Sequence, residues 1–388
     1  MLERRLLKHL DLWLPLLVAL LTAAGVVVIA SATRTPLSGL LDLPSWLNPK
    51  AWSYIQRQIV WAGVGAAAGA FCLLFDYRAL TRWATLLYVA SLGLLVVVLF
   101  AGEVAGNARS WLGVGPFRFQ PAEVSKLALI ILLASVLSRD EGNAGSWNDV
   151  LITMAYLAPP LALIVMQPDL GTALVLLGIL VGMLFMAGMP VARFLVLVTG
   201  GLAAGLGAVV SKLYFDAPIP LTPGQIRRLI IFLNPGSDPW GAGYQILQSQ
   251  YAIGSGRLLG QGLFQGDQIG LRYLPERQTD FVFSVVGEEL GFVGATLLLL
   301  LFFAMLARIF HLAAQAKDAF GSLLAAGVGS MLAFHVVVNI GMTIGLMPVT
   351  GLPLPFVSYG GSALLTNCIG IGLVLNVYMR RHKLLFGS

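Results

Sequence analysis

The chain alternates long apolar runs with short polar interruptions. Leu12–Ala32, Gln58–Phe75, Ala84–Ala101 and Asp169–Gly188 reach or nearly reach the roughly 20 residues a helix needs to cross a bilayer. Glu123–Leu137, Leu151–Met166, Val191–Lys212, Phe281–Leu312, Leu323–Leu346 and Ser358–Met379 read as further spans. The pattern predicts an all-α polytopic membrane protein of about ten transmembrane helices, forming one domain over residues 1–388. Pro159 and Pro160 fall inside one run, so that helix is expected to be short or bent, with neighbours satisfying the carbonyls the prolines free. Only Thr33–Ile55 and Tyr214–Phe281 lie outside the spans and are long enough to hold structure. A structureless loop of the second length would be abnormal, which predicts re-entrant or surface helices packed over the bundle.

Composition agrees: 58% of the 388 residues are hydrophobic and 11% charged, against roughly 45–50% and about 25% in soluble domains. The excess apolar surface must face lipid. A net charge of +6 does not indicate nucleic-acid binding, because the basic residues are scattered among the inter-span loops. Arg4, Arg5, Lys8, Arg78, Arg82, Arg139, Arg193, Arg308, Lys317, Arg380, Arg381 and Lys383 all fall on one side, which places both termini in the cytoplasm. The long loop of about residues 214–281 then lies outside with a concentration of arginines, as long loops translocate regardless of charge. The Met1–Ala32 segment reads as a retained anchor, its apolar run being too long for a signal peptide.

Small residues fit packing roles. Cys72 and Cys368 fall within spans and suggest neither a disulfide nor a metal site. The Gly65–Gly69 and Gly201–Gly205 pairs would let helices approach closely. Gly254, Gly256, Gly260, Gly262 and Gly266 lack the ending of a phosphate-binding loop and read as turns. No internal repeat argues for transporter symmetry.

Ionisable groups at membrane depth are costly and mark candidate sites. Glu123 and Lys126 share a helix face at i, i+3. Asp169 begins another helix at a depth from which it could join Lys126, and the three fit either a structural lock or the floor of a functional cavity. Asp280 ends the long loop where the next helix begins, and by itself fits either a helix cap or a base. Glu288 and Glu289 lie about 12 Å deeper, too far to be its hydrogen-bond partners. A carboxylate among outward cations (Arg109, Arg118, Arg228, Arg257, Arg272 and Arg277) suits displacement of a lipid diphosphate, whose leaving charge needs cationic stabilisation.

The motifs are specific. Ser110-Trp111-Leu-Gly113, Arg118-Phe-Gln120-Pro121-Ala-Glu123-Val-Ser-Lys126 and Gln167-Pro-Asp-Leu-Gly-Thr-Ala173 resemble the SEDS family of shape, elongation, division and sporulation proteins. So do Asn234-Pro-Gly-Ser-Asp-Pro239, Gly241-Ala-Gly-Tyr-Gln245, Leu274-Pro-Glu276, Thr279-Asp280-Phe281, Gly287-Glu-Glu-Leu-Gly291 and Gly351-Leu-Pro-Leu-Pro-Phe-Val-Ser-Tyr-Gly-Gly-Ser362. Within that family, Asn339–Thr350 and the Leu-Pro-Leu-Pro run look like the elongation member RodA rather than the division member FtsW.

The resemblance implies a glycosyltransferase of the bacterial plasma membrane that polymerises lipid II, releases undecaprenyl diphosphate and works with a class B penicillin-binding protein. It implies that Asp280 is the catalytic base, acting in a single inverting displacement. Glu123, Lys126 and Asp169 would then shape the cavity. Arg109, Arg118, Arg228, Gln248, Ser249, Ser358, Tyr359 and Gly360 form the expected substrate-binding set. The family usually has His two residues before this Asp, where this chain has Gln278. No carboxylate cluster marks a protein metal cage, which leaves a divalent cation, Mg or Mn, only as a companion of the diphosphate. The rival readings are a lipid II flippase or other transporter, a scaffold that anchors cell-wall enzymes, and a division-type paralogue.

Overall fold

The computed structural model describes residues 10–33, 49–105, 108–114, 117–139, 146–215, 217, 222–241, 243–267 and 273–381. Among the described residues, ten long helices form the bundle: α1 (Trp13–Ala32), α2 (Pro49–Cys72), α3 (Ala79–Ala101), α4 (Pro121–Leu137), α5 (Trp147–Met166), α6 (Leu170–Met186), α7 (Val191–Phe215), α10 (Val282–Ala314), α11 (Ala319–Thr343) and α12 (Gly361–Met379). Seven of them are long and apolar enough to cross a membrane by length and composition. The others are α2, whose first turns carry Lys50 and Arg57, and the 17-residue helices α4 and α6. At 1.5 Å per residue, 17 residues extend about 26 Å, close to the hydrocarbon thickness.

Helix α11 is the axis. It is buried along most of its length and packs on α4, α6, α10 and α12. Helix α7 is the opposite case, an apolar helix with no buried residue. The Gly201–Gly205 pair on it has nothing within 4 Å among the described residues, so the expected packing role is not realised there. The Gly65–Gly69 pair does serve packing: a Cβ at either position would collide with Cys368 of α12.

Helix starts follow local rules. Pro121 occupies the first turn of α4, where its missing N–H costs nothing. Ser146 and Asp149 form a reciprocal capping box on α5. Helix α5 runs 20 residues through Pro159 and Pro160 and is not shortened. The reason lies in a neighbour: Pro160 cannot donate to the Tyr156 carbonyl, and the Tyr88 hydroxyl of α3 donates to that oxygen at 2.7 Å.

Two expectations about the segments between spans change. Helix α2 begins at Pro49, inside the segment read as a loop to Ile55, and residues 34–48 lie outside the described residues. A small antiparallel sheet, β1 (Glu103–Ala105), β2 (Ala108–Val114) and β3 (Phe117–Phe119), joins α3 to α4. The outer strands, at three residues each, leave almost no periodic trace in a sequence. The long loop holds surface helices, as its length required: α8 (Pro223–Leu233), a short 3₁₀ turn (Pro235–Ser237) and α9 (Tyr244–Ser255), the last packed on α10 and α11.

Helix α10 is interrupted at Gly291, where φ is +64°. The chain after α9 seals the break with backbone alone. The N–H groups of Gln261 and Gly262 donate to the Glu288 and Glu289 carbonyls at 3.0 Å each. Phe292 and Val293 donate back to the Arg257 and Leu258 carbonyls at 2.9 and 3.0 Å. Broken backbone at membrane depth is tolerable only when satisfied in this way. A side chain on Gly256 or Gly260 would strike the backbone of Gly287 or Glu289, so these glycines permit a close approach as well as a turn.

Candidate active site

Asp280 lies on the last turn before α10. The N-cap of that helix is Phe281, and the helix start has no side-chain capping bond. Asp280 is therefore not the cap, and its carboxylate is free of that task. Asp169 behaves differently. It is the N-cap of α6, accepting from the Thr172 N–H at 3.0 Å and its hydroxyl at 2.8 Å, and from the Gln120 amide at 3.2 Å.

The backbone around Asp280 is held on both sides. The Glu276 carbonyl accepts from the N–H groups of Thr279, Asp280 and Phe281, and Glu276 itself has φ of +48°. Three consecutive carbonyls then take bonds from α11 and from the loop before α12. Gln278 O accepts from Tyr359 N at 2.9 Å, Thr279 O from the Ser358 hydroxyl, and Asp280 O from the Asn339 amide at 2.8 Å. Strained backbone of this kind persists only where its surroundings fix it, and such residues gather at functional sites. Phe356, with φ of +65°, lies in the same loop.

The Asp280 carboxyl is pushed up to about 6 from 3.8. Loss of solvent is the main cause, followed by a hydrogen bond from Thr279, which opposes the rise. The negative charge of Glu276 adds to it, the Arg228 guanidinium reduces it, and Asp169 adds to it again. A carboxylate tuned toward neutrality at the edge of a membrane bundle is a candidate general base.

Beneath this level lies a buried ionic group. Lys126 of α4 is fully buried, with its ammonium 2.7 Å from Glu123 Oε1 and 3.0 Å from His335 Nε2 of α11. The ammonium is thus shared with Glu123 and His335, and Asp169 faces Thr172 and Gln120 instead of joining it. The sequence reading missed His335. The signal was present, as a histidine in an apolar span is itself a candidate for a buried partnership.

The remaining expected site residues divide. Arg228 is exposed, and its charge reaches Asp280. Arg118 is exposed and paired with Glu103 at 3.3 Å. The Arg109 side chain lies outside the described residues. Gln248 is half-buried on α9, whereas Ser249 is fully buried with its hydroxyl committed to Ser284 at 2.6 Å and to the Thr343 carbonyl at 2.7 Å. Ser358 is likewise committed, accepting from Leu354 N and donating to Thr279 O. Tyr359 meets Tyr54 edge-on at 5.0 Å, and Gly360 precedes the first residue of α12. The Gln278 amide lies 3.5 Å from the Glu276 carboxylate. Among the described residues, no group of three His, Cys, Asp or Glu could hold a metal ion, so they do not fit a protein-bound metal.

Comparisons with known proteins bear on this arrangement. The cell cycle protein family model for FtsW, RodA and SpoVE matches residues 11–383. Stage V sporulation protein E of Bacillus subtilis (strain 168) is 41% identical over 373 residues, covering 95% of this chain and 96% of the relative. Peptidoglycan glycosyltransferase MrdB of Escherichia coli (strain K12) is 38% identical over 333 residues, covering 85% of this chain and 87% of the relative. A solved chain from work on structural coordination of polymerization and crosslinking by a peptidoglycan synthase complex superposes with a TM-score of 0.79 at 37% identity. That match covers 96% of this chain and 99% of the other.

Proposed function

Because the chain belongs to the FtsW/RodA/SpoVE family and is a peptidoglycan glycosyltransferase, we propose that it polymerises lipid II outside the membrane with Asp280 as general base. The acceptor sugar's 4-hydroxyl gives its proton to the Asp280 carboxylate while its oxygen attacks the anomeric carbon of the lipid-linked donor. The bond from that carbon to the diphosphate breaks, the configuration inverts, and the bond's electron pair leaves on undecaprenyl diphosphate. Arg228, whose charge reaches Asp280, would offset the leaving charge. The proton transfer belongs to the chain's own carboxylate.

The observation that carries this reading is that Asp280 does not cap α10. An Asn at a capping position serves about as well as Asp, whereas an Asn at a base position cannot accept the proton. Purified protein in detergent, given lipid II, provides the test. Asp280→Asn should fold and bind lipid II, with glycan synthesis reduced at least about 10²-fold. A rate within a few-fold of wild type would remove Asp280 from the mechanism. Activity in detergent also separates a polymerase from a flippase, since no second compartment exists.

Both termini are cytoplasmic and the 214–281 loop is extracytoplasmic, on the distribution of basic residues. The partner is a class B penicillin-binding protein supplying crosslinking, in keeping with the synthase complex of the structural relative. The stage is elongation, supported by residues Asn339–Thr350 and the Leu-Pro-Leu-Pro run after Gly351. The 41% identity to the sporulation protein favours a second reading, a polymerase used in sporulation. Depletion distinguishes them: loss of cell shape supports elongation, and normally shaped cells that fail only at division or sporulation overturn it.

A further inference from the structure

Helix α11 presents three polar residues one turn apart, at i, i+4 and i+8, and each touches a different part of the site. His335 meets the Lys126 ammonium, Asn339 meets the backbone of Asp280, and the Thr343 carbonyl receives the Ser249 hydroxyl that also contacts Ser284 of α10. Asn339 stands at the centre and is fully buried. Its amide nitrogen donates twice, to Asp280 O at 2.8 Å and to Leu352 O at 2.7 Å. Two carbonyls on one nitrogen fix which end of the amide faces them, since only the NH₂ group can donate. The second acceptor matters because Gly351, next to Leu352, faces the Asp280 carboxylate: a Cβ built there would come within 3.5 Å of Asp280 Oδ2. One side chain thus ties the residue bearing the carboxylate to the loop facing it.

We propose that Asn339 is a positioning residue for the glycosyl transfer, acting as a clamp whose two amide protons hold Asp280 against the 351–352 loop. This rests on the reading of Asp280 as the base. Asn339 does not touch substrate in this scheme. Its role is to keep the carboxylate where the acceptor hydroxyl arrives, since small misplacements at a reacting centre are expensive in rate. The Ser358 hydroxyl joins the Thr279 carbonyl to Leu354 N of the same loop, and Tyr359 N–H holds the Gln278 carbonyl; Asn339 is the side chain that takes the carbonyl of Asp280 itself.

Three variants test it in purified protein with lipid II: Asn339→Leu, which keeps the branched outline, with added bulk, and removes the donors; Asn339→Asp, which keeps the shape with acceptors in their place; and Asn339→Gln, which keeps both donors on a longer stem. The expected result is a fall in kcat of at least about tenfold for Leu and Asp, and a partial rescue by Gln. KM for lipid II should stay within about threefold of wild type, and the acid limb of the pH–rate profile should move. Wild-type kcat and acid limb in folded variants would overturn the proposal, as would a rise in KM alone. If Leu and Asp do not fold, Gln decides: a lowered kcat with a moved acid limb supports the clamp, and wild-type behaviour overturns it. Asp280→Asn assayed alongside keeps the two claims apart. An inactive Asp280→Asn with wild-type Asn339 variants defeats only the clamp, whereas an active Asp280→Asn defeats the base.

Discussion

Acidification should slow this enzyme at a pH where an ordinary carboxylate would still be ionised. With the Asp280 carboxyl at about 6 instead of 3.8, roughly one tenth of the molecules would carry the ionised base at pH 5, against more than about nine tenths for an unshifted group. A polymerase that needs the carboxylate should therefore run about tenfold slower at pH 5 than on its plateau near pH 8. The neighbours make the prediction sharper, because their effects have opposite signs. Glu276→Gln removes a negative charge that raises Asp280, so the acid limb should move to lower pH; Arg228→Gln removes a positive charge that lowers it, so the limb should move up. The assay is kcat/KM for lipid II in detergent across that range, which reports the free enzyme. Stability carries its own sign. The folded state holds this proton more tightly than the unfolded chain, so protonation favours the fold below 3.8 and that contribution is lost as pH rises through about 6. A limb at or below about pH 4, or two substitutions that shift it in the same direction, would refute the reasoning.

Lys126→Met should leave Glu123 buried beside His335 without its cation, costing on the order of 3–5 kcal/mol; a variant with wild-type yield, melting and activity would make the pair incidental. Tyr88→Phe should leave the Tyr156 carbonyl unsatisfied next to Pro160 and lower stability by about 1–3 kcal/mol, with activity per folded molecule unchanged. An unchanged melting temperature would show that the hydroxyl is not needed there. A cysteine at position 267, in place of Asp267 in the long loop, should react with a membrane-impermeant thiol reagent in intact cells; labelling only after permeabilisation would reverse the topology.

The bundle was legible because each apolar run must find lipid or another helix, and its length reports the membrane. The polar first turns were not. Helix α2 begins nine residues before its apolar run at Gln58, since Lys50 and Arg57 are tolerated at its end. Gly291 lies inside the run Phe281–Leu312 that reads as one span, and only its φ and its contact with the chain at 257–262 show a break. Glu123 and Lys126 could be paired from spacing alone. His335 lies 209 residues from Lys126, beyond the reach of any periodicity. Asp280 was ambiguous between cap and base because a boundary uncertain by one residue decides which it is, and the helix starts one residue further on.

The seal on the α10 break bears on how freely this loop can change. All four of its bonds join main chain to main chain, so no side chain on the 257–262 strip is required to close it. Leu258 and Leu259 point their side chains into exposed positions and should accept diverse replacements in a saturation mutagenesis screen, whereas Arg257, with φ of +49°, should favour Gly and Asn over β-branched residues. Gly256, Gly260 and Gly291 should accept almost none, because each needs the space a Cβ would fill. Tolerance should thus fall sharply at Gly256 and Gly260 and stay reduced at Gln261, whose side chain donates to the Ser255 hydroxyl and accepts from Asp267 N.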